Sequence, residues 1–290
     1  MEKITVVMTT YNGEKYIREQ LESIFMQTRL PDELIIADDC SSDSTNSIVE
    51  EMKCNTKISI INYINTDNLG YIKNFRNAMQ RATGDYIFLC DQDDIWKSNK
   101  IETTIRLMKV HRANVACTGF QLIDGDGKYI ANTDVYRSDP ISGYSGWTNH
   151  VMNIPFNRLI WGNFSPGCTY CFTRKILTFF EKINNTELSH DFQILLIGAN
   201  FNSAIFIDTP LSFYRLHQSN TIGMNNKEKK RERHLQPRIS RFMKQLSAYC
   251  SVKNYYINNI ILYLRLPKIR SVILHYFNLS NKLNLRYKID

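Results

Sequence analysis

The run Tyr86-Ile87-Phe88-Leu89-Cys90-Asp91-Gln92-Asp93-Asp94 decides how this chain is read. Its first five residues are uncharged and β-favouring, the composition of a buried strand. Three carboxylates then arrive together where that strand should end. Carboxylates so close repel one another and resist desolvation. A divalent cation relieves both penalties, and oxygen-only ligands suit magnesium or manganese, Mg2+ or Mn2+. Strand residues two apart point to one side, so Asp91 and Asp93 can face a shared ligand. The competing reading is a solvated acidic turn that caps a helix starting near Trp96.

Outward from this run, the first 115 residues alternate between strand-like and helix-like segments. Strands are expected at Ile4–Met8, Glu33–Ala37, Ile58–Tyr63, Tyr86–Cys90 and Val115–Phe120. Tyr16, Ile17, Leu21, Ile24 and Phe25 recur at helical spacing, as do Ile48, Val49 and Met52, then Ile101, Ile105 and Met108. Ser44 or Asp43 is the expected cap of the second helix and Ser98 that of the fourth. Such alternation implies a mostly parallel sheet flanked by helices, with ligands bound outside the carboxyl ends of the strands. Four of those ends carry polar groups: Thr9-Thr10-Tyr11-Asn12, Asp38-Asp39, Asp67-Asn68 and the opening cluster. Residues 121–166 are broken by glycine and proline. Beyond them, a strand is expected at Cys168–Thr173, helices at Arg174–Lys182 and His190 to about Asn200, and short strands at Ala204–Ile207 and Leu211–Leu216.

Composition narrows the class. The chain has 290 residues, 43% of them hydrophobic, which fits one large globular domain or one with an appendage. No run reaches about 20 apolar residues, so no transmembrane helix is expected, and the first residues carry no signal-peptide pattern. Seven scattered cysteines fit a reducing compartment. Cys168 and Cys171 form a lone C-x-x-C without two further zinc ligands nearby, so they read as core or loop residues, with a redox pair as the alternative. Charge is uneven: Lys227 to Asp290 holds fifteen Lys/Arg and three Asp/Glu, against a net charge of +8 for the whole chain. That asymmetry points to a polyanionic partner, a membrane surface or nucleic acid, and no recognised nucleic-acid module accompanies it.

Val6-Val7-Met8-Thr9-Thr10-Tyr11-Asn12-Gly13, Ile35-Ile36-Ala37-Asp38-Asp39-Cys40-Ser41-Ser42-Asp43, Asn68-Leu69-Gly70, and Gly84-Asp85-Tyr86 through Asp91-Gln92-Asp93-Asp94-Ile95-Trp96 occur in this order. Together they resemble the family 2 glycosyltransferases, the inverting GT-A enzymes, and most of all their bacterial rhamnosyltransferase-type branch. The resemblance covers roughly residues 3 to 220. It implies an α/β GT-A fold with a mostly parallel, Rossmann-like sheet flanked by helices. Residues 1–224 would form the catalytic domain, 1–115 the nucleotide-binding half and 116–224 the acceptor half, with 225–290 a basic helical C-terminal extension.

The resemblance also implies roles. Asp39 would bind the nucleobase, since a carboxylate accepts the imide N–H of uracil or thymine. Thr9 and Tyr11 would line the nucleotide pocket, Asn68 and Gly70 would turn near the diphosphate, and Lys73 and Arg215 would reach it. Asp91 falls to the ribose side and Asp93 to the metal, with Asp94 close by and His217 completing the metal shell. Asp191, in Ser189-His190-Asp191-Phe192, would be the general base that deprotonates the acceptor hydroxyl. Its alternative role is helix capping. His190 would orient the acceptor or Asp191, and Trp161 and Asn163 would contact the acceptor near the small-residue turn Gly167-Cys168.

The implied reaction moves a sugar from a nucleotide-sugar donor to a glycan or lipid-linked acceptor. Rhamnose from dTDP-rhamnose leads, with UDP-hexose or UDP-N-acetylhexosamine open. A nucleotidyltransferase would need a glycine-rich phosphate loop after the first strand, which Thr9-Thr10-Tyr11-Asn12 is not. A non-catalytic, membrane-associated nucleotide-binding module is the third alternative. In the tail, Ile269, Val272, Ile273, Tyr276 and Phe277 form an apolar stripe beside Arg265, Lys268 and Arg270. That pattern suits a helix lying on an anionic membrane surface through 227–290, hence a cytoplasmic enzyme peripheral to the inner face of a bacterial membrane. Packing on the catalytic domain, or a homo-oligomer, are the other outcomes for this segment.

Overall fold

A computed structural model describes residues 2–130, 147–148, 150–156, 159, 163, 165–183, 188–218, 220 and 241–242. Strand and helix alternate as the periodicity requires: β1 Ile4–Thr10, α1 Ile17–Phe25, β2 Glu33–Asp38, α2 Thr45–Lys53, β3 Ser59–Ile64, α3 Tyr71–Met79 and β4 Tyr86–Asp91. There follow β5 Ile95–Trp96, α4 Lys100–Val110, β6 Val115–Ile123, β7 Trp147–Thr148, β8 Val151–Asn153, β9 Tyr170–Thr173, α5 Arg174–Lys182, α6 His190–Asn200 and β10 Ala204–Arg215. One sheet runs β3-β2-β1-β4-β9-β6-β10-β8-β7, with β5 pairing β10. The four strands from β3 to β4 are parallel. β9 enters antiparallel between β4 and β6, so the second half of the sheet is mixed.

The inner strands β1, β2 and β4 are buried along nearly their whole length, whereas the edge strand β3 keeps exposed positions. Every residue of β2 is buried, Glu33 included. Glu33 tolerates this because Thr5 Oγ1, Thr83 N and Thr83 Oγ1 donate to it and Lys3 Nζ lies 3.1 Å away. The helix α6 is buried at every position except Asp191, the pattern of a helix packed on several sides.

Several local expectations change. The helix after the acidic cluster does not start near Trp96: residues 95–96 form β5, paired with Ser212 and Phe213, and α4 begins at Lys100. Ser98 does not cap α4, whose N-cap is Asn99; the Ser98 carbonyl accepts from Thr28 N instead. Ser44 occupies the N-cap of α2 without a side-chain bond, and Asp43 Oδ1 accepts from Thr45 N at 3.0 Å. The two short strands expected at 204–207 and 211–216 are one twelve-residue strand, β10. Pro210 interrupts its register with β6 without ending it, because a residue lacking N–H fits a bulge.

The first compact unit runs to Phe242, which is fully buried. The rest of the basic extension, with its membrane or oligomer role, lies outside the described residues. Among the described residues, no helix is long and apolar enough to cross a membrane.

Candidate donor and acceptor site

Parallel register brings the polar strand ends together. Thr9 pairs with Asp91 across β1 and β4, and Thr10 with Asp38 across β1 and β2. Asp38 is closed off: Thr10 Oγ1, Ser41 N, Ser41 Oγ and Asn46 Nδ2 all donate to it within 3.0 Å. Asp39, also buried, accepts from Asn65 Nδ2 at 2.9 Å and from Leu69 N and Gly70 N at 2.8 Å. It thus folds the loop carrying Asn68, whose Oδ1 also accepts from Gly70 N. Gly70 starts α3 at φ 78°, a backbone setting that favours glycine. Three acceptor positions of Asp39 are spent on this loop, leaving one for a base. Tyr11 is 49% exposed, and Lys73 is exposed on α3.

Gln92, unremarked within the acidic run, clamps the ends of β1 and β4. Its Oε1 accepts from Tyr11 N and its Nε2 donates to Tyr11 O. The carboxylates around it divide into two sets. Asp93 Oδ2 lies 2.9 Å from His217 Nε2, whose ring packs tilted against Tyr16 with centroids 4.7 Å apart. Among the described residues, Asp91, Asp94 and Cys168 each offer a ligand atom within 4.8 Å of the others. Asp94 Oδ1 accepts from Arg215 N, while Asp94 Oδ2 is buried with no hydrogen-bond partner. Burial, then Asp94 and Asp93, pushes the Asp91 carboxyl well up; burial, then Asp93, pushes Asp94 up to about 7. Buried carboxylates that repel each other and retain an unfilled acceptor fit a hard divalent cation. Asp91 therefore joins the candidate metal ligands beside Asp93, Asp94 and His217.

Lys100 lies beneath this cluster, fully buried. Its Nζ donates to Cys168 O at 2.9 Å and rests 4.1 Å from the Trp96 ring centroid. No sequence motif marked it. Cys168 and Cys171 are both free and buried, as core residues would be.

Arg215 needs correcting. It was expected on the diphosphate, yet it is 2% exposed and its guanidinium is committed to the protein. Nε donates to Asp93 O at 2.9 Å, Nη1 to Asp124 O, and Nη2 to Glu19 Oε2 at 2.5 Å, with the group over the Tyr16 ring. It braces the turn that presents Asp93 and Asp94.

On the acceptor side, Asp191 occupies the first turn of α6 while Ser189 takes the N-cap. Asp191 Oδ1 accepts from Phe192 N at 2.8 Å and Oδ2 from Asn163 Nδ2 at 2.7 Å. Gly167 flanks it, and a Cβ there would come within 3.2 Å of Asp191 Cβ. Asp191 also raises the proton affinity of Asp91, so its charge is felt across the site. Asn163, expected as an acceptor contact, is bonded to the candidate base. His190 is corrected too: it is 4% exposed and stacks on Phe75 at 4.2 Å. Burial lowers it to about 4, so it is a neutral packing residue. Trp161 lies outside the described residues.

The family model described as "Glycosyl transferase family 2" matches residues 5–183. The dTDP-rhamnosyl transferase RfbG of Shigella flexneri is 30% identical over 91% of this chain and 94% of its own length. The UDP-Glc:alpha-D-GlcNAc-diphosphoundecaprenol beta-1,3-glucosyltransferase WfgD of Escherichia coli is 27% identical over 79% of this chain and 83% of its own. Among solved structures, S. aureus TarS 1-349 in complex with UDP-GlcNAc superposes with a TM-score of 0.61 at 17% identity. That match covers 99% of this chain and 94% of the other, a likeness of fold.

Proposed function

The chain belongs to glycosyl transferase family 2, and from that premise we propose that it is an inverting, metal-dependent rhamnosyltransferase acting on a lipid-linked glycan. Glycosyltransferase activity follows from the family, and the GT-A fold from the solved relatives. The donor sugar, the cation and the acceptor are the proposal. The observation that carries it is the pairing of two unlike carboxylate settings in one site. Asp91 and Asp94 are crowded and short of partners; Asp191 is single and held by two N–H donors.

Chemically the division is simple. Asp191 accepts the proton of the acceptor hydroxyl, whose oxygen attacks the anomeric carbon opposite the departing diphosphate. The bond from that carbon to the phosphate oxygen breaks, and configuration inverts. A divalent cation on Asp91, Asp93, Asp94 and His217 would supply charge neutralisation for the leaving diphosphate. Tyr11 offers an exposed ring and Asp39 an acceptor to the nucleobase, and Lys73 stands free at the α3 surface. Arg215 and Gln92 keep the acidic turn in register with β1.

The dTDP-rhamnose reading is supported by the relative matched along nearly its whole length. UDP-glucose is the second reading, favoured by the glucosyltransferase relative, whose name also supports a diphosphoundecaprenol-linked acceptor. Such an acceptor lies at a membrane, which suits a tail with fifteen basic and three acidic residues. The test is nucleoside diphosphate release from a panel of nucleotide sugars, with and without Mn2+ and with a lipid-linked glycan present. Preferential use of dTDP-rhamnose is expected. Preferential use of UDP-glucose replaces the sugar assignment, and release unaffected by chelator removes the metal.

A further inference from the structure

We propose that Tyr170 and Asn163 form a positioning relay that holds Asp191 in one orientation; the inference rests on reading Asp191 as the base. The Tyr170 hydroxyl donates to Asn163 Oδ1, and Asn163 Nδ2 donates to Asp191 Oδ2 at 2.7 Å. The order matters. An ionised carboxylate only accepts, so the amide turns its Nδ2 to Asp191 and leaves its Oδ1 for the Tyr170 hydroxyl. Tyr170 is fully buried, and burial raises its phenol well above the usual range, so it remains a donor at any working pH. Bonded at both ends, the amide is fixed, and the carboxylate it holds is kept aimed, as a base must be to act.

Two features make this more than local packing. The relay spans separate elements: Tyr170 opens β9, Asn163 lies in the preceding loop, and Asp191 begins α6. Gly167 lies on the flank of Asp191, and the carboxylate Oδ2 would be only 3.5 Å from a Cβ there. The carboxylate is thus gripped by Phe192 N and Asn163 Nδ2, with no side chain on the Gly167 flank. The other groups around it are the Cys117 thiol on β6, kept protonated by burial, and Asp91 on β4. Neutral His190 is on α6 itself, and Arg76 on α3 reaches Gln193 at 3.4 Å. Against these, Asn163 donates its side-chain Nδ2 directly to the carboxylate.

The test is kcat and KM for donor in wild type, Asn163→Ala, Tyr170→Phe and Asp191→Asn, with nucleotide binding as the check of folding. Asn163→Ala is expected to lower kcat about 10- to 100-fold, with donor KM changed less than about threefold. Tyr170→Phe loosens the amide and should lower kcat about three- to tenfold, again with donor KM nearly unchanged. If Asp191→Asn is inactive while both relay variants keep the wild-type kcat, the relay is wrong and the base stands. If Asp191→Asn transfers sugar normally, the base reading itself is wrong. Should Asn163→Ala fail to bind nucleotide, the kcat of Tyr170→Phe decides.

Discussion

The carboxylates at the end of β2 and those at the end of β4 flank the same central strand, yet the protein treats them in opposite ways. Asp38 and Asp39 are wrapped in donors: four reach Asp38 and three reach Asp39. Asp91 and Asp94 are equally close in sequence to an apolar strand, but they receive little. Asp94 Oδ2 is buried without a partner, and both carboxyls are pushed up by burial and by neighbouring carboxylates, Asp93 on both and Asp94 on Asp91. One acidic pair is part of the scaffold; the other is a demand for a cation. Sequence proximity of acidic residues does not separate the two cases, whereas the supply of N–H and O–H donors does.

The largest effect expected from this contrast is on turnover. Asp94→Asn should cost about 100- to 1,000-fold in kcat with cation present, because charge stabilisation of the leaving group is lost. In cation-free protein the same change should leave the melting temperature unchanged or raise it, since the amide keeps the Arg215 N–H bond and relieves repulsion. A fall in both would mean that Asp94 belongs with the scaffold pair. Asp38→Ala should behave in the reverse manner, destabilising by about 3 kcal/mol with or without cation, because four donors lose their acceptor. Denaturant unfolding in EDTA and in Mn2+ measures both.

A pH series sharpens the same division. Asp94 is raised to about 7 when folded, so the folded state holds a proton that the unfolded chain releases near its usual carboxylate range. Stability of cation-free protein is therefore fully present below about pH 4 on this account and is lost as pH rises towards about 7. The size should be on the order of 2 kcal/mol, less than the full shift, because neighbouring carboxyls share the proton. Mn2+ should raise the melting temperature more at about pH 8 than at about pH 5. Equal shifts at both would remove the protonated carboxyl from the picture.

How much of this was legible depends on how far apart the partners lie. Strand ends are coded locally, by an apolar run and the polar residue after it, so Thr9, Asp39 and Asp91 could be placed from sequence. Arg215 could not, because its partner Asp93 is 122 residues away and a residue type does not say which carbonyl it will meet. Lys100 and Tyr170 were silent for the same reason. His190 and Asp191 show a different limit. They are adjacent, but consecutive helical residues point in different directions, so one packs on Phe75 and the other meets Asn163. A motif names the pair without saying which member faces the substrate.

The smallest perturbation tests the scaffold pair without touching charge. Gly70 carries φ 78° and has nothing within 4 Å of where a Cβ would stand. Gly70→Ala therefore meets no steric obstacle, and its whole cost is backbone strain, about 1 to 3 kcal/mol. That strain falls on the N–H aimed at Asp39 Oδ2, so the turn should relax away from the carboxylate. If Asp39 presents its remaining acceptor to a nucleobase only while this turn grips it, donor KM should rise about three- to tenfold with kcat nearly unchanged. Stability lost without any change in KM would mean that Asp39 serves the loop alone. The base would then be recognised by other groups, the exposed ring of Tyr11 just after β1 among them.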